Sequence, residues 1–171
     1  MLSKKMEKAL GDQINAESQS AYLYLSLAGW FETQNLPGFA HWMTIQAQEE
    51  LLHMKKLFDY VYQRGGRVHL GAIDAPPNEW KDSLDAFTVV FNHEGHITQR
   101  INKLVDIALA EKDHATNSLL QWFVAEQIEE MKTAQDIVSK LKLLGGTGAG
   151  LFMLDRDLAT RTLVTAPGPG A

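Results

Sequence analysis

The chain has 171 residues, 45% of them apolar and 22% charged, with a formal net charge of −5 and no cysteine. That is enough chain for one domain with a real core. The missing cysteines exclude disulfide frameworks, cysteine-bound zinc or iron–sulfur centres and thiol catalysis, and fit a reducing, cytoplasmic setting. The acidic balance argues against nucleic acid as the main partner and suits cations. No run of 18 apolar residues is present to span a membrane, and the start, MLSKKMEKALGDQ, is polar and amphipathic rather than an apolar leader.

In chain order, Ser3 can cap a first helix running to about Thr33. Asn35-Leu-Pro-Gly38 breaks it, and Pro37 suits the first turn of a second helix that reaches about Arg64 and stops at Gly65-Gly66. The stretch from Arg67 to Trp80 holds Pro76 and Pro77, which forbid a regular helix. Asp82 or Ser83 can cap a third helix to about Glu111, and Asp113 a fourth to about Leu144, ended by Gly145-Gly146. A short amphipathic piece with Leu151, Leu154 and Leu158 on one face follows, then a tail expected to be disordered over residues 164–171. The fold class this predicts is all-α. Short connections make the first and second helices antiparallel neighbours, and likewise the third and fourth. The long middle connection can run the length of the bundle and leave helices two and three parallel, giving a four-helix bundle with one long crossover and a short fifth C-terminal helix.

Each long helix carries an apolar stripe at heptad spacing. The stripes read Leu10, Ile14, Glu17, Ala21, Tyr24, Ala28, Phe31; Phe39, Met43, Gln46, Glu50, His53, Leu57, Tyr60; Phe87, Val90, Glu94, Ile97, Ile101, Leu104, Ala108; and Leu120, Phe123, Gln127, Glu130, Ala134, Ile137, Leu141. Every stripe is interrupted near mid-length by a metal-ligand type, so Glu17, Glu50, Glu94 and Gln127 fall at one level whichever way each helix points. A buried unpaired carboxylate costs several kcal/mol, and the four of Glu17, Glu50, Glu94 and, one turn on from Gln127, Glu130 require cations among them. Glu50-Leu-Leu-His53 is an i, i+3 pair on one face. Glu17, Glu50, Glu94 and Glu130 carry four negative charges, enough to neutralise two divalent ions, with His53 and Gln127 as neutral donors. An oxygen-rich set with one histidine suits Fe(II) or Mn(II) better than structural zinc. Gln46, one turn before Glu50, is either a donor to the site or a polar core residue.

The segments Asn15-Ala-Glu17-Ser-Gln-Ser-Ala-Tyr-Leu-Tyr24, Gln48-Glu-Glu50-Leu-Leu-His53, Thr98-Gln-Arg-Ile-Asn102 and Leu120-Gln-Trp-Phe-Val-Ala-Glu-Gln-Ile-Glu-Glu130 give the chain a resemblance to the bacterial non-haem ferritins over its whole length. The resemblance implies a ferritin-like domain over residues 1–163. It implies a two-iron ferroxidase centre with Glu17, Glu50 and His53 at one iron and Glu50, Glu94, Gln127 and Glu130 at the other. It places Tyr24 beside that centre, and a third iron station on Glu49, Glu126, Glu129 and Glu130. It also implies Fe(II) oxidation by dioxygen or hydrogen peroxide and ferric mineral held in a cage of 24 identical chains. Two departures refine it. Haem-bearing relatives carry a second Glu-x-x-His, where this chain has Gln127-x-x-Glu130, and a haem-ligand Met where it has Leu52, with Met54 out of register; no haem is expected. Animal ferritins line their three-fold channels with acidic residues at positions that here correspond to Asn117 and Leu120, which argues against that entry route.

Two other functions fit the composition less well. A di-iron oxygenase or peroxidase without storage usually has two histidines on its metals. A DNA-sheltering cage usually has a basic tail, whereas Lys4, Lys5 and Lys8 here are offset by Glu7 and Asp12. His41, His69, His93, His96 and His114 lie off the stripes and read as surface or satisfied polar residues. Tyr22 and Trp122 read as packing. The Gly145–Gly150 run follows no strand and reads as a hinge rather than a phosphate loop.

Overall fold

A computed structural model describes residues 1–145 and 148–163. The described residues form five helices: α1 (Lys4–Thr33), α2 (Pro37–Gln63), α3 (Ser83–Ala110), α4 (His114–Leu144) and α5 (Gly148–Leu158). The expected tail at 164–171 and part of the expected glycine hinge, residues 146–147, lie outside the described residues.

Helix boundaries follow local chemistry. Ser3 Oγ accepts from Met6 N at 3.0 Å, Asp82 Oδ1 from Asp85 N at 2.9 Å and Asp113 Oδ1 from Thr116 N at 3.1 Å, so three of the four long helices begin on a side-chain cap. Of the two candidates for α3, Asp82 is the cap. Gly145, with φ +57°, ends α4 in the left-handed conformation that glycine adopts without steric cost. The second helix has no cap of its own: Leu36 precedes it without a side-chain bond. Its open N–H groups are taken instead by α5, where buried Asp155 accepts from Gly38 N at 2.8 Å and Phe39 N at 3.0 Å.

Side-chain pairs give the topology. Ser20 bonds His93 and Gln13 bonds Arg100, so α1 runs antiparallel to α3. Gln46 bonds Glu130 and Tyr60 bonds Thr116, so α2 runs antiparallel to α4. With α1 packed along α2 and α3 along α4, α2 and α3 are parallel and residues 64–82 form the long crossover. Polar side chains on one outer face of α1 hold it: Asn15 Oδ1 accepts from Gly71 N, Gln19 exchanges two bonds with Asp74, and Ser26 donates to the Pro77 carbonyl. Trp80 closes the strap edge-on against Trp30, 5.7 Å between centroids.

All the stripe residues are buried except Glu130, which is partly so. The apolar ones separate into two clusters. One contains Ala28, Phe31, Phe39, Met43, Phe87, Val90 and Ile137; the other contains Leu10, Ile14, Leu57, Ile97, Ile101, Leu120 and Phe123. The polar layer of Glu17, Glu50, His53, Glu94, Gln127 and Glu130 lies between them. Each of those side chains is therefore held by a packed core on either side, which is what keeps a polar layer in place at the centre of a bundle.

Candidate metal centre

Two groups of acidic and histidine ligand atoms converge within 4.8 Å of one another among the described residues: Glu17, Glu50 and His53, and Glu50, Glu94 and Glu130. They share Glu50. Both groups fall on the heptad stripes, because i, i+3 and i, i+4 positions share one helix face and the four helices are in register at their midpoints. His53 Nδ1 stands 3.6 Å from Glu50 Oε2 and 3.9 Å from Glu130 Oε1. Its ring is held edge-on by Trp122 (5.4 Å) and Phe123 (5.9 Å), so Trp122 packs against the site.

Burial dominates the electrostatics. It pushes the Glu17 carboxyl up to about 8, with the neighbouring Glu50 charge adding to the effect. It raises Glu50 to about 8, with Glu94 as the next contributor. It holds Glu130 well above the usual carboxylate range, with Glu50 and Glu94 pushing the same way. Glu17 Oε2 and Glu130 Oε2 are buried without a hydrogen-bond partner. Orphaned oxygens in a native core call for a bound ion or water, and hard oxygen donors with one imidazole suit divalent iron or manganese.

Two glutamines orient the carboxylates. Gln13 Nε2 donates to Glu17 Oε1 at 2.8 Å while its own Oε1 accepts from Arg100 Nε at 2.9 Å. Gln46 Nε2 donates to Glu50 Oε1 at 2.9 Å and Glu130 Oε1 at 3.2 Å while its Oε1 accepts from Arg161 Nη2 at 2.7 Å. In both cases an arginine fixes the amide so that its N–H groups face the carboxylates. Gln46 is thus a donor to the site. Gln13 and the two arginines were missed in the sequence; the repeated Gln-x-x-x-Glu spacing was the available signal for Gln13.

Tyr24 is fully buried and donates its hydroxyl to Glu94 Oε1. Burial and the Glu94 charge raise its pKa well above the usual phenol value, so it stays a donor. Gln127 Nε2 donates to Glu94 Oε2 at 3.1 Å and lies 3.3 Å from Thr98 Oγ1. In this orientation Gln127 steadies Glu94, and its oxygen reaches an ion only if the amide turns over. His93 bonds Ser20 Oγ at 2.7 Å, outside both ligand groups, and His41, His69, His96 and His114 are exposed. Tyr22 is exposed as well.

A cavity of about 310 Å³ opens from this centre. Tyr24, His53, Glu94 and Glu130 line it, and so do the flanking Glu49, Glu126 and Glu129. These last three belong to neither tight ligand group. Burial raises the Glu126 carboxyl, with Glu129 and Glu49 adding repulsion. Glu49 is engaged by a residue the sequence reading did not anticipate, Arg161, whose Nη2 contacts Glu49 Oε2.

Comparison with known proteins agrees with this geometry. Residues 7–144 match the family model described as a ferritin-like domain. The chain is 46% identical over 161 residues to the bacterial non-heme ferritin of Bacteroides fragilis, covering 94% of this chain and all of that one. It is 36% identical to the protein of the same description from Escherichia coli O157:H7, covering 94% of this chain and 97% of that one. Among solved structures it is similar to the open-pore ferritin of the hyperthermophilic archaeon Archaeoglobus fulgidus, with a TM-score of 0.94 and 52% identity over 95% of this chain and the whole of that one.

Proposed function

The chain belongs to the ferritin family, and from this we propose that it oxidises Fe(II) at the Glu50-centred pair of sites and stores the ferric product as mineral inside a closed shell of 24 copies. The observation that carries the reading is the pair of ligand groups, Glu17/Glu50/His53 and Glu50/Glu94/Glu130, sharing one bridging carboxylate in a buried layer. Iron is the substrate. Two Fe(II) ions neutralise the four carboxylates, and dioxygen or hydrogen peroxide takes their electrons.

The protein side of the chemistry is orientation and proton balance. Gln13 and Gln46 aim Glu17, Glu50 and Glu130, and Tyr24 and Gln127 steady Glu94. Carboxyls raised by burial give up protons as iron enters. Glu49, Glu126 and Glu129, with Glu130 shared, form a further outward station for a third iron, between the oxidation centre and the mineral. The chain acts without haem, in the cytoplasm, without nucleic acid or membrane as partner. Lys4 and Lys8 at the N-terminus are paired with Glu7 and Asp12, and no helix among the described residues is long and apolar enough to cross a membrane.

An anaerobic Fe(II) titration followed by oxygen exposure, watched optically and by sizing, tests the reading. Expected are a fast oxidation phase saturating near two Fe(II) per chain and an iron-loaded particle of roughly 460 kDa, 24 chains of 19.1 kDa each. A small species that turns over iron without retaining it would instead indicate a di-iron oxygenase or peroxidase.

A further inference from the structure

Of the described residues that line the cavity, Arg161 carries the only fixed positive charge. It lies three residues past the end of α5, yet its side chain is largely buried, 19% exposed. Its guanidinium stacks on Trp42, 4.1 Å from the ring centroid, donates to Gln46 Oε1 at 2.7 Å, and contacts Glu49. Its main chain is held separately: His41 Nε2 meets the Arg161 carbonyl at 2.8 Å, and α5 before it is docked by Leu154, Leu158 and the Asp155 cap on α2.

We propose that Arg161 is a tethered counter-cation of the outer carboxylate station, holding Glu49 while that station is empty and yielding it when a third divalent ion binds. The inference rests on the reading of Glu49, Glu126, Glu129 and Glu130 as an iron station. Arginine stays charged at any working pH, so it balances one of these carboxylates for as long as the station is empty. A dication entering beside it meets repulsion from the guanidinium and finds Glu49 already engaged. The anchored main chain means that only the side chain has to swing, and the Trp42 face is a seat that does not depend on Glu49.

The same guanidinium fixes Gln46, whose amide N–H groups reach Glu50 and Glu130. The two compartments are linked through one side chain, and the outer ion is the weakly held one, as a station that passes iron onward requires.

The test compares the assembled wild-type protein with Arg161→Gln and Arg161→Lys by calorimetric titration with Zn(II), which involves no redox chemistry, and by anomalous diffraction of Zn(II)-soaked crystals. The glutamine variant removes the charge and leaves a shorter polar side chain, and thermal melts of all three proteins check that folding is not the variable. Expected are two tight ions per chain in all three proteins, a third ion bound roughly tenfold tighter in Arg161→Gln, and Arg161→Lys close to wild type. In the zinc-loaded wild type the guanidinium should have left Glu49. A third-ion affinity unchanged or weaker in Arg161→Gln overturns the proposal, as does an intact Arg161–Glu49 pair beside a bound third ion. Two inner ions with no third ion in any of the proteins would remove the outer station, and this proposal with it, while leaving the inner centre standing.

Discussion

Asp155 caps a helix that it does not belong to: its carboxylate takes the N–H of Gly38 at 2.8 Å, 117 residues away in sequence. The approach is so close that a Cβ on residue 38 would lie 1.7 Å from the Asp155 carbonyl oxygen. Glycine is needed there for space, and α5 is seated by that contact. Gly38→Ala should therefore displace α5, at a cost of about 1–3 kcal/mol typical of overpacking. Asp155→Ala removes the cap alone and should cost about 1 kcal/mol. Thermal melts would give the ranking. Hydrogen exchange should show α5 losing protection in both variants while α1–α4 remain helical. Wild-type protection of α5 in Gly38→Ala would contradict the seating.

Glu50 is the one residue common to both ligand groups, and His53 is the only nitrogen donor in either. Removing a partner that merely orients a ligand typically weakens a metal site by 10–100-fold. Loss of the shared carboxylate should cost more, so Glu50→Ala should abolish the fast phase of Fe(II) oxidation, a slowing of at least about a hundredfold, and so should His53→Ala. Stopped-flow mixing with oxygenated buffer reads this directly. Slow residual oxidation in solution is expected in any case; a fast phase retained by Glu50→Ala would refute the assignment.

The inner centre was legible in the sequence because its chemistry breaks a pattern. Carboxylates on stripes that also carry Ile14, Leu57, Val90 and Phe123 stand out, and helix midpoints put them at one level. Residues reached only through the tertiary fold were not legible. Arg161 meets Gln46 and Glu49 across 115 and 112 residues, and Asp155 meets Gly38 across 117. No local periodicity encodes such contacts. Asp155 was also hidden by its neighbours, since the face read from Leu151, Leu154 and Leu158 gave no reason to bury the acid beside Leu154. Gln13 lay within reach: it repeats the Gln46–Glu50 spacing, but it sits off the heptad stripe and passes as surface.

Protons should accompany metal. Glu17 and Glu50 both titrate near 8 in the metal-free protein, raised first by burial. Their folded values lie above the unfolded carboxylate value, so the folded chain holds the extra protons between about pH 4.5 and 8. Their contribution to metal-free stability is fully present below pH 4.5 and is lost as pH rises through 8. A divalent ion reverses this by replacing the protons. Calorimetry in buffers of different ionisation enthalpy should show more protons released per Zn(II) at pH 6.5 than at pH 8.5. The rise in melting temperature on adding metal should be larger at the higher pH. Equal proton release at both values would mean that these carboxyls are already ionised.

Gln46→Leu should remove the donor to Glu50 and Glu130 while keeping most of the volume. Glu50 would then lose the hydrogen bond that favours its charged form, and affinity for the inner ions should fall by about 10–100-fold. Gln13→Leu should do the same through Glu17 alone. A competition titration with a metal chelator measures both. If the glutamines were ordinary core residues, both variants would bind Zn(II) like wild type.

The outer glutamates give the last test, because the double variant Glu49→Ala/Glu129→Ala leaves both inner ligand groups complete. It should keep two tight ions per chain and lose the third. Removing Glu49 also frees the Arg161 guanidinium, which retains Gln46 and the Trp42 face. The Gln46 amide should therefore keep its orientation toward Glu50 and Glu130, and the first oxidation turnover should keep its rate. What should change is the behaviour afterwards. With no station between the oxidation centre and the mineral, recovery of the fast phase after a first round of Fe(II) should be slower, or the ratio of iron oxidised to oxygen consumed should shift. Repeated Fe(II) additions followed with an oxygen electrode would read both, and metal-soaked crystals would count the ions. A variant that still binds three ions per chain would rule the station out.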